Sequence, residues 1–132
     1  MKVRILTLLI LGIALTAGCS KKGDEVLPVV KGSISLDVKV LHHTWEVSGI
    51  MVYLERGATE FPGMDSSLYD LRGQADGYGS MTFNNLYPGN YYVYASGYDS
   101  QWGDHVFGYM SLVLDSGTVN DNKSSVTLYV SE

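Results

Sequence analysis

The sequence predicts an all-β fold: a sandwich of about seven short strands following an N-terminal signal helix. Three observations carry that expectation. Beyond residue 31, apolar residues recur with a period of two in short runs, separated by turn residues at the spacing typical of a sandwich. Fifteen glycines and ten tyrosines against three prolines favour turns and strands. No stretch after residue 18 sustains a helical period.

The first element is a secretory signal over residues 1–18. Lys2 and Arg4 supply the positive start, Ile5 to Leu15 the apolar run, and Thr16-Ala17-Gly18 a small-residue cleavage site. The run is shorter than the roughly 20 apolar residues that span a bilayer. Cys19, the single cysteine, follows immediately. This arrangement resembles the bacterial lipobox, although Thr16 stands where that pattern usually carries leucine. The resemblance implies that the thiol is diacylated, the signal removed and the new amino terminus acylated, palmitate being the typical chain. Several chains on one residue make a durable anchor, whereas one gives only reversible binding. Ser20 replaces the aspartate associated with inner-membrane retention, which implies the outer membrane of a Gram-negative cell. Residues 19–31 then form the lipidated cysteine and a polar tether, and residues 32–132 the sandwich.

Each strand has its own signature. Ile34, Leu36, Val38 and Val40 alternate with Ser33, Ser35, Asp37 and Lys39, giving one buried and one wet face. His42, His43 and Thr44 close this strand. A second spans Val47 to Leu54, with Ile50, Val52 and Leu54 inward and Met51 and Tyr53 outward. Arg56 to Ser66 is a polar loop, and Ser67 to Ala75 a less regular third strand. Asp76-Gly77 predicts a hairpin with the glycine at positive φ. Gly79 to Asn84 alternates again, and Leu86-Tyr87-Pro88-Gly89 fits a type II turn. Asn90 to Tyr98 places Tyr91, Val93, Ala95 and Gly97 on one face and Tyr92, Tyr94, Ser96 and Tyr98 on the other. His105 to Leu114 and Ser124 to Ser131 complete the set, the last with Val126, Leu128 and Val130 inward.

Within this pattern, Asp76, Gly79, Phe83, Leu86, Pro88, Gly89 and Tyr91 spell D-x-x-G-x-x-x-F-x-x-L-x-P-G-x-Y. The motif resembles that of carboxypeptidase regulatory-like and collagen-adhesin B-type domains. That resemblance implies a prealbumin-like (transthyretin-like, immunoglobulin-like) β-sandwich. The motif residues have a sufficient backbone or core explanation, so they speak for fold and are silent on activity.

Charge and residue chemistry narrow the function. Without Lys2 and Arg4, seven basic residues face fourteen acidic ones, a formal charge of −7. That balance argues against nucleic acid as a partner and against direct attraction to anionic head groups. No serine sits in a nucleophile elbow and no glycine-rich phosphate loop precedes a helix, so no enzyme activity and no cofactor are expected. The end, Thr127 to Glu132, lacks the Tyr-Arg-Gly-Ser signature of transthyretin-related hydroxyisourate hydrolases. An isopeptide bond like those of adhesin repeats is not expected either: Lys39 faces outward, and Ser124 to Ser131 holds no asparagine. His42, His43 and His105 read as surface histidines, because neighbours on a strand point to opposite faces and cannot share an ion unless the strand breaks. Asp99 to Asp104 spaces oxygens like a calcium loop but completes no such motif. No metal site is expected.

The remaining positive feature is aromatic. Tyr92, Tyr94 and Tyr98 share an outward face and Trp102 lies just beyond, which makes these four the candidate ligand-binding residues. A cross-strand ladder that stiffens the sheet is the alternative use of the tyrosines. The expected function is that of a non-catalytic cell-envelope lipoprotein, held to the membrane through its lipid anchor, acting as a structural or protein-interaction module. The alternative is a glycan-binding protein that stacks sugars on those aromatics. The partner is an unidentified envelope protein or a glycan.

Overall fold

Alternation of apolar and polar residues becomes two packed sheets in the computed structural model, which describes residues 32–132. The signal, Cys19 and the tether to Lys31 lie outside the described residues. Among the described residues the strands are β1 (Ile34–His42), β2 (Trp45–Glu46), β3 (Met51–Arg56), β4 (Leu71–Gln74), β5 (Ser80–Leu86), β6 (Gly89–Asp99), β7 (Asp104–Leu114) and β8 (Lys123–Val130).

One sheet centres on β1, which pairs antiparallel with β5 and, at its end, with β2, while β8 lies parallel along its other side. The second sheet runs β4-β3-β6-β7, with every pairing antiparallel. The parallel β1–β8 pair is a long-range contact that no local pattern announces. β7 and β8 touch across the sheets, where Phe107 and Ser131 exchange backbone hydrogen bonds of 2.9 and 3.0 Å. The described residues form an all-β sandwich, as the alternation predicts.

The inward faces also agree with expectation. Leu36, Val38 and Val40 of β1 meet Val52 and Leu54 of β3, Tyr91, Val93 and Ala95 of β6, and Leu128 and Val130 of β8 in one core. Burying a side chain of this size contributes about 1.5–3 kcal/mol. The motif residues act as the backbone argument requires. Phe83 and Leu86 are buried, and the Tyr91 hydroxyl donates to the Tyr87 carbonyl at 2.7 Å, locking the β5–β6 corner. Burial pushes the Tyr91 phenol pKa up.

Four local expectations are corrected. The predicted second strand begins only at Met51, because Gly49 at φ +71 lets residues 47–50 cross from one sheet to the other. Val47 and Ile50 are buried on the way, which is why the apolar pattern runs past the strand end. The predicted third strand shrinks to β4. Residues 66–68 instead make a 3-10 turn capped by the Asp65 side chain, which accepts from the Ser67 amide at 2.9 Å. At Asp76-Gly77 the positive φ falls on Gly79 (+72), and the Asp76 carboxylate closes the turn by accepting from the Tyr78 and Ser80 amides. Those two amides hold its pKa below the usual carboxylate range. At Pro88-Gly89 the glycine has φ +148, more open than the roughly +80° of a type II turn.

The direction of the strands gives the molecule two distinct ends. Residues 32–34, the β5–β6 corner and the 115–122 loop share one end; the β1–β2 turn, the 76–79 turn, the β6–β7 loop and the end of β8 share the other. Residue 32, the first described, therefore lies at the near end. Nine residues of β1, at about 3.3 Å each, separate it by roughly 30 Å from the far end.

Candidate functional site

The aromatic face predicted on β6 does not stay open. Tyr53, Tyr94 and Tyr109 sit in register across β3, β6 and β7, forming the cross-strand ladder. The loop of residues 57–70 folds over it as a roof. Phe61 stacks on Tyr109, with ring centroids 3.8 Å apart and planes 12° apart, and approaches Tyr92 and Tyr94 at 6.0 and 5.9 Å. Tyr69 stacks on Tyr94 at 5.4 Å, and its hydroxyl donates to the Gly63 carbonyl at 2.8 Å. Tyr94 and Tyr69 are thereby 2% and 3% exposed. Desolvation pushes the Tyr69 phenol up to about 12, with nearby Tyr94 as a smaller contribution. This region is a second small core.

The four candidate residues therefore split. Tyr92 and Tyr94 belong to the roofed cluster. Tyr98 and Trp102 lie at the far end and are about half exposed. Tyr98 packs edge-on against His105, with centroids 5.4 Å apart. Trp102 packs against His43 at 5.0 Å and His42 at 5.7 Å. Two residues outside the candidate set, Trp45 and Tyr78, are also exposed at this end. Trp45 lines a shallow depression with Gly77 and Gln101.

The far end also holds the most unusual polar group in the sandwich. His42, expected on the surface, is 1% exposed. The reason is visible in the alternation, since His42 follows Ile34, Leu36, Val38 and Val40 on the inward face of β1. Asp99 likewise follows Tyr91, Val93, Ala95 and Gly97 on β6, and Glu132 follows Val126, Leu128 and Val130 on β8. Each strand, continued one inward step beyond its apolar run, places a polar side chain at the same end. His42 Nδ1 lies 2.9 Å from Asp99 Oδ2, and the other Asp99 oxygen accepts from the Gln101 amide at 3.0 Å. The Asp99 carboxylate thereby joins β1 to the start of the β6–β7 loop, a structural use for that residue.

His43 provides the strand break that shared coordination requires. Its φ of +56 ends the alternation, and its ring stacks on that of His42 at 4.4 Å and 27°. His42 Nε2 lies 3.5 Å from Glu132 Oε2 and has no hydrogen-bond partner. Ligand atoms of His42, His43 and Glu132 all lie within 4.8 Å of one another.

No protein-family model matches the sequence, and no curated protein is similar to it in sequence. Among solved structures, the chain is similar to a variant of BcpA, the major pilin subunit of Bacillus cereus. The TM-score is 0.51 at 9% identity, covering 76% of this chain and 30% of that one. BcpA itself matches with a TM-score of 0.49 at 9% identity, covering 74% of this chain and 29% of the pilin. A proposed carbohydrate-binding protein from Pseudomonas aeruginosa matches with a TM-score of 0.47 at 13% identity, covering 76% of this chain and 90% of that one. This chain therefore spans under a third of the pilin's length. At 9% identity the pilin likeness is one of fold alone: the architecture is a β-sandwich.

Proposed function

We propose that this chain is a non-catalytic lipoprotein of the cell envelope, anchored through acylated Cys19, whose sandwich serves as a protein-interaction module. One observation carries the reading. Trp45, Tyr98 and Trp102 are 52%, 54% and 48% exposed, and all three lie at the end opposite residue 32, where the described residues begin. Large aromatics with polar tips are enriched in binding hot spots, and a tether at one end leaves the other free to meet a partner. The lipobox resemblance at Cys19 and the serine at position 20 support outer-membrane anchoring.

Capture from intact envelopes, with the lipid anchor kept, tests this reading. The parent chain is expected to retain a protein partner by crosslinking, and Trp45→Ala with Trp102→Ala to lose most of it. Equal retention by the parent and the double variant would overturn it. A second reading, glycan binding, is favoured by the same half-exposed Trp102 and Tyr98. Its signature is a saturable change in tryptophan fluorescence against a glycan panel that disappears in Trp102→Ala.

A further inference from the structure

His42 Nε2 is a buried polar atom without a partner, and such atoms are rare enough to require an explanation. The Asp99 carboxylate can only accept, so His42 Nδ1 is the donor in their 2.9 Å bond. In the neutral ring, the lone pair is therefore on Nε2, aimed at Glu132 and beside His43. A protonated His42 bridging two carboxylates would donate from Nε2 to Glu132. The 3.5 Å separation is too long for such a bond.

We propose that His42 Nε2, His43 and Glu132 bind one divalent first-row transition ion, zinc by preference, with Asp99 orienting His42. The donor set supports that class. Two imidazoles and a carboxylate suit zinc and its neighbours, whereas calcium and magnesium take oxygen ligands. Metal-bound histidine characteristically donates its other ring nitrogen to a carboxylate, the role Asp99 already fills. Tetrahedral zinc at about 2.0–2.1 Å from each donor needs donor atoms roughly 3.3 Å apart. The present spread of 4.8 Å closes by side-chain rotation of His43 and Glu132, both exposed, around the fixed His42. Three protein ligands leave a fourth position for water, with Trp102 forming one wall. The site depends on these side chains alone and stands apart from the proposed protein-interaction role.

The test is a zinc titration of the chain from residue 19 onward, carrying Cys19→Ser so that the thiol does not compete. Calorimetry is expected to show one zinc per chain, and the melting temperature to rise with zinc. His43→Ala and Glu132→Gln change exposed positions and so leave the fold intact, as circular dichroism would verify. Each should weaken zinc at least about tenfold. Asp99→Asn should cost about 10–100-fold through lost orientation of His42, whereas His105→Ala at the same end should bind like the parent. Absence of saturable one-to-one binding would overturn the assignment. So would binding in His43→Ala and Glu132→Gln equal to that of the parent, since the zinc would then be held elsewhere.

Discussion

Gly79 illustrates how one residue of a motif can be dictated twice. Its φ of +72 lies in the left-handed region, and a Cβ there would stand 2.8 Å from the Val40 carbonyl oxygen. Gly79→Ala therefore suffers both backbone strain and collision with the backbone of β1. Urea denaturation should show a loss of about 2–3 kcal/mol, more than an unstrained Gly→Ala change would cost. The aspartate and glycine of D-x-x-G divide the labour: Asp76 satisfies amides within the turn, and Gly79 supplies the conformation and the clearance. Of the three histidines that read as surface residues, His43 and His105 are exposed and His42 is buried. The opposite-face rule does not separate His42 from His43, because the left-handed His43 ends the strand between them. The inward parity of His42 was already present in the run from Ile34.

Between residue and molecule, the decisive element is the 57–70 loop. By composition it is a polar loop, yet it carries Phe61 at one end and Tyr69 at the other, and both land on the tyrosine ladder of the second sheet. The hydroxyl of Tyr69 holds the roof at Gly63, and its neutral form is favoured by burial. A phenol raised from 10.0 to about 12 on folding stabilises the fold fully below pH 10, and the folded chain retains the proton that the unfolded chain loses above it. Stability should therefore fall as pH rises from about 10 to 12, with Tyr69 ionising later than an ordinary tyrosine in an absorbance titration. Tyr69→Phe should remove the Tyr69 share of the late absorbance change and cost about 1 kcal/mol for the lost hydrogen bond. Phe61→Ala should open the roof, read as faster proteolysis within residues 57–70 at little cost to the main core. The alternation of β6 puts Tyr92 and Tyr94 on one face; their cover by Phe61 and Tyr69 is not legible, because nothing in a loop's local sequence specifies which surface it will lie upon.

For the whole molecule, the arrangement of two ends matters more than any single cleft. The described residues begin beside Ile34, while the exposed tryptophans and the His42–Asp99 pair sit at the far end of β1. Anchoring by residue 19 would thus project the polar and aromatic end away from the membrane. Cys19→Ser in cells should move the chain from the membrane fraction to the soluble fraction without changing the far-end chemistry. An outcome with both forms membrane-bound would remove the lipid anchor from the proposal.

What the sequence determined by itself was the set of decisions made over a few residues. Period-two alternation specified the strands and their inward faces, because a pleated backbone forces successive side chains to opposite sides. Turn chemistry at Asp76, Gly79 and Pro88-Gly89 specified where the chain reverses, and the N-terminal pattern ending in Cys19 specified an expected address. The tertiary structure alone decided what meets across distance. It laid β8 parallel to β1, folded Phe61 and Tyr69 over Tyr94, and brought His42, Asp99 and Glu132 together from three strands. Those contacts depend on how two sheets stack and how far each strand runs before it ends. Such quantities are set by the packing of the entire core, so no local window of the chain contains them.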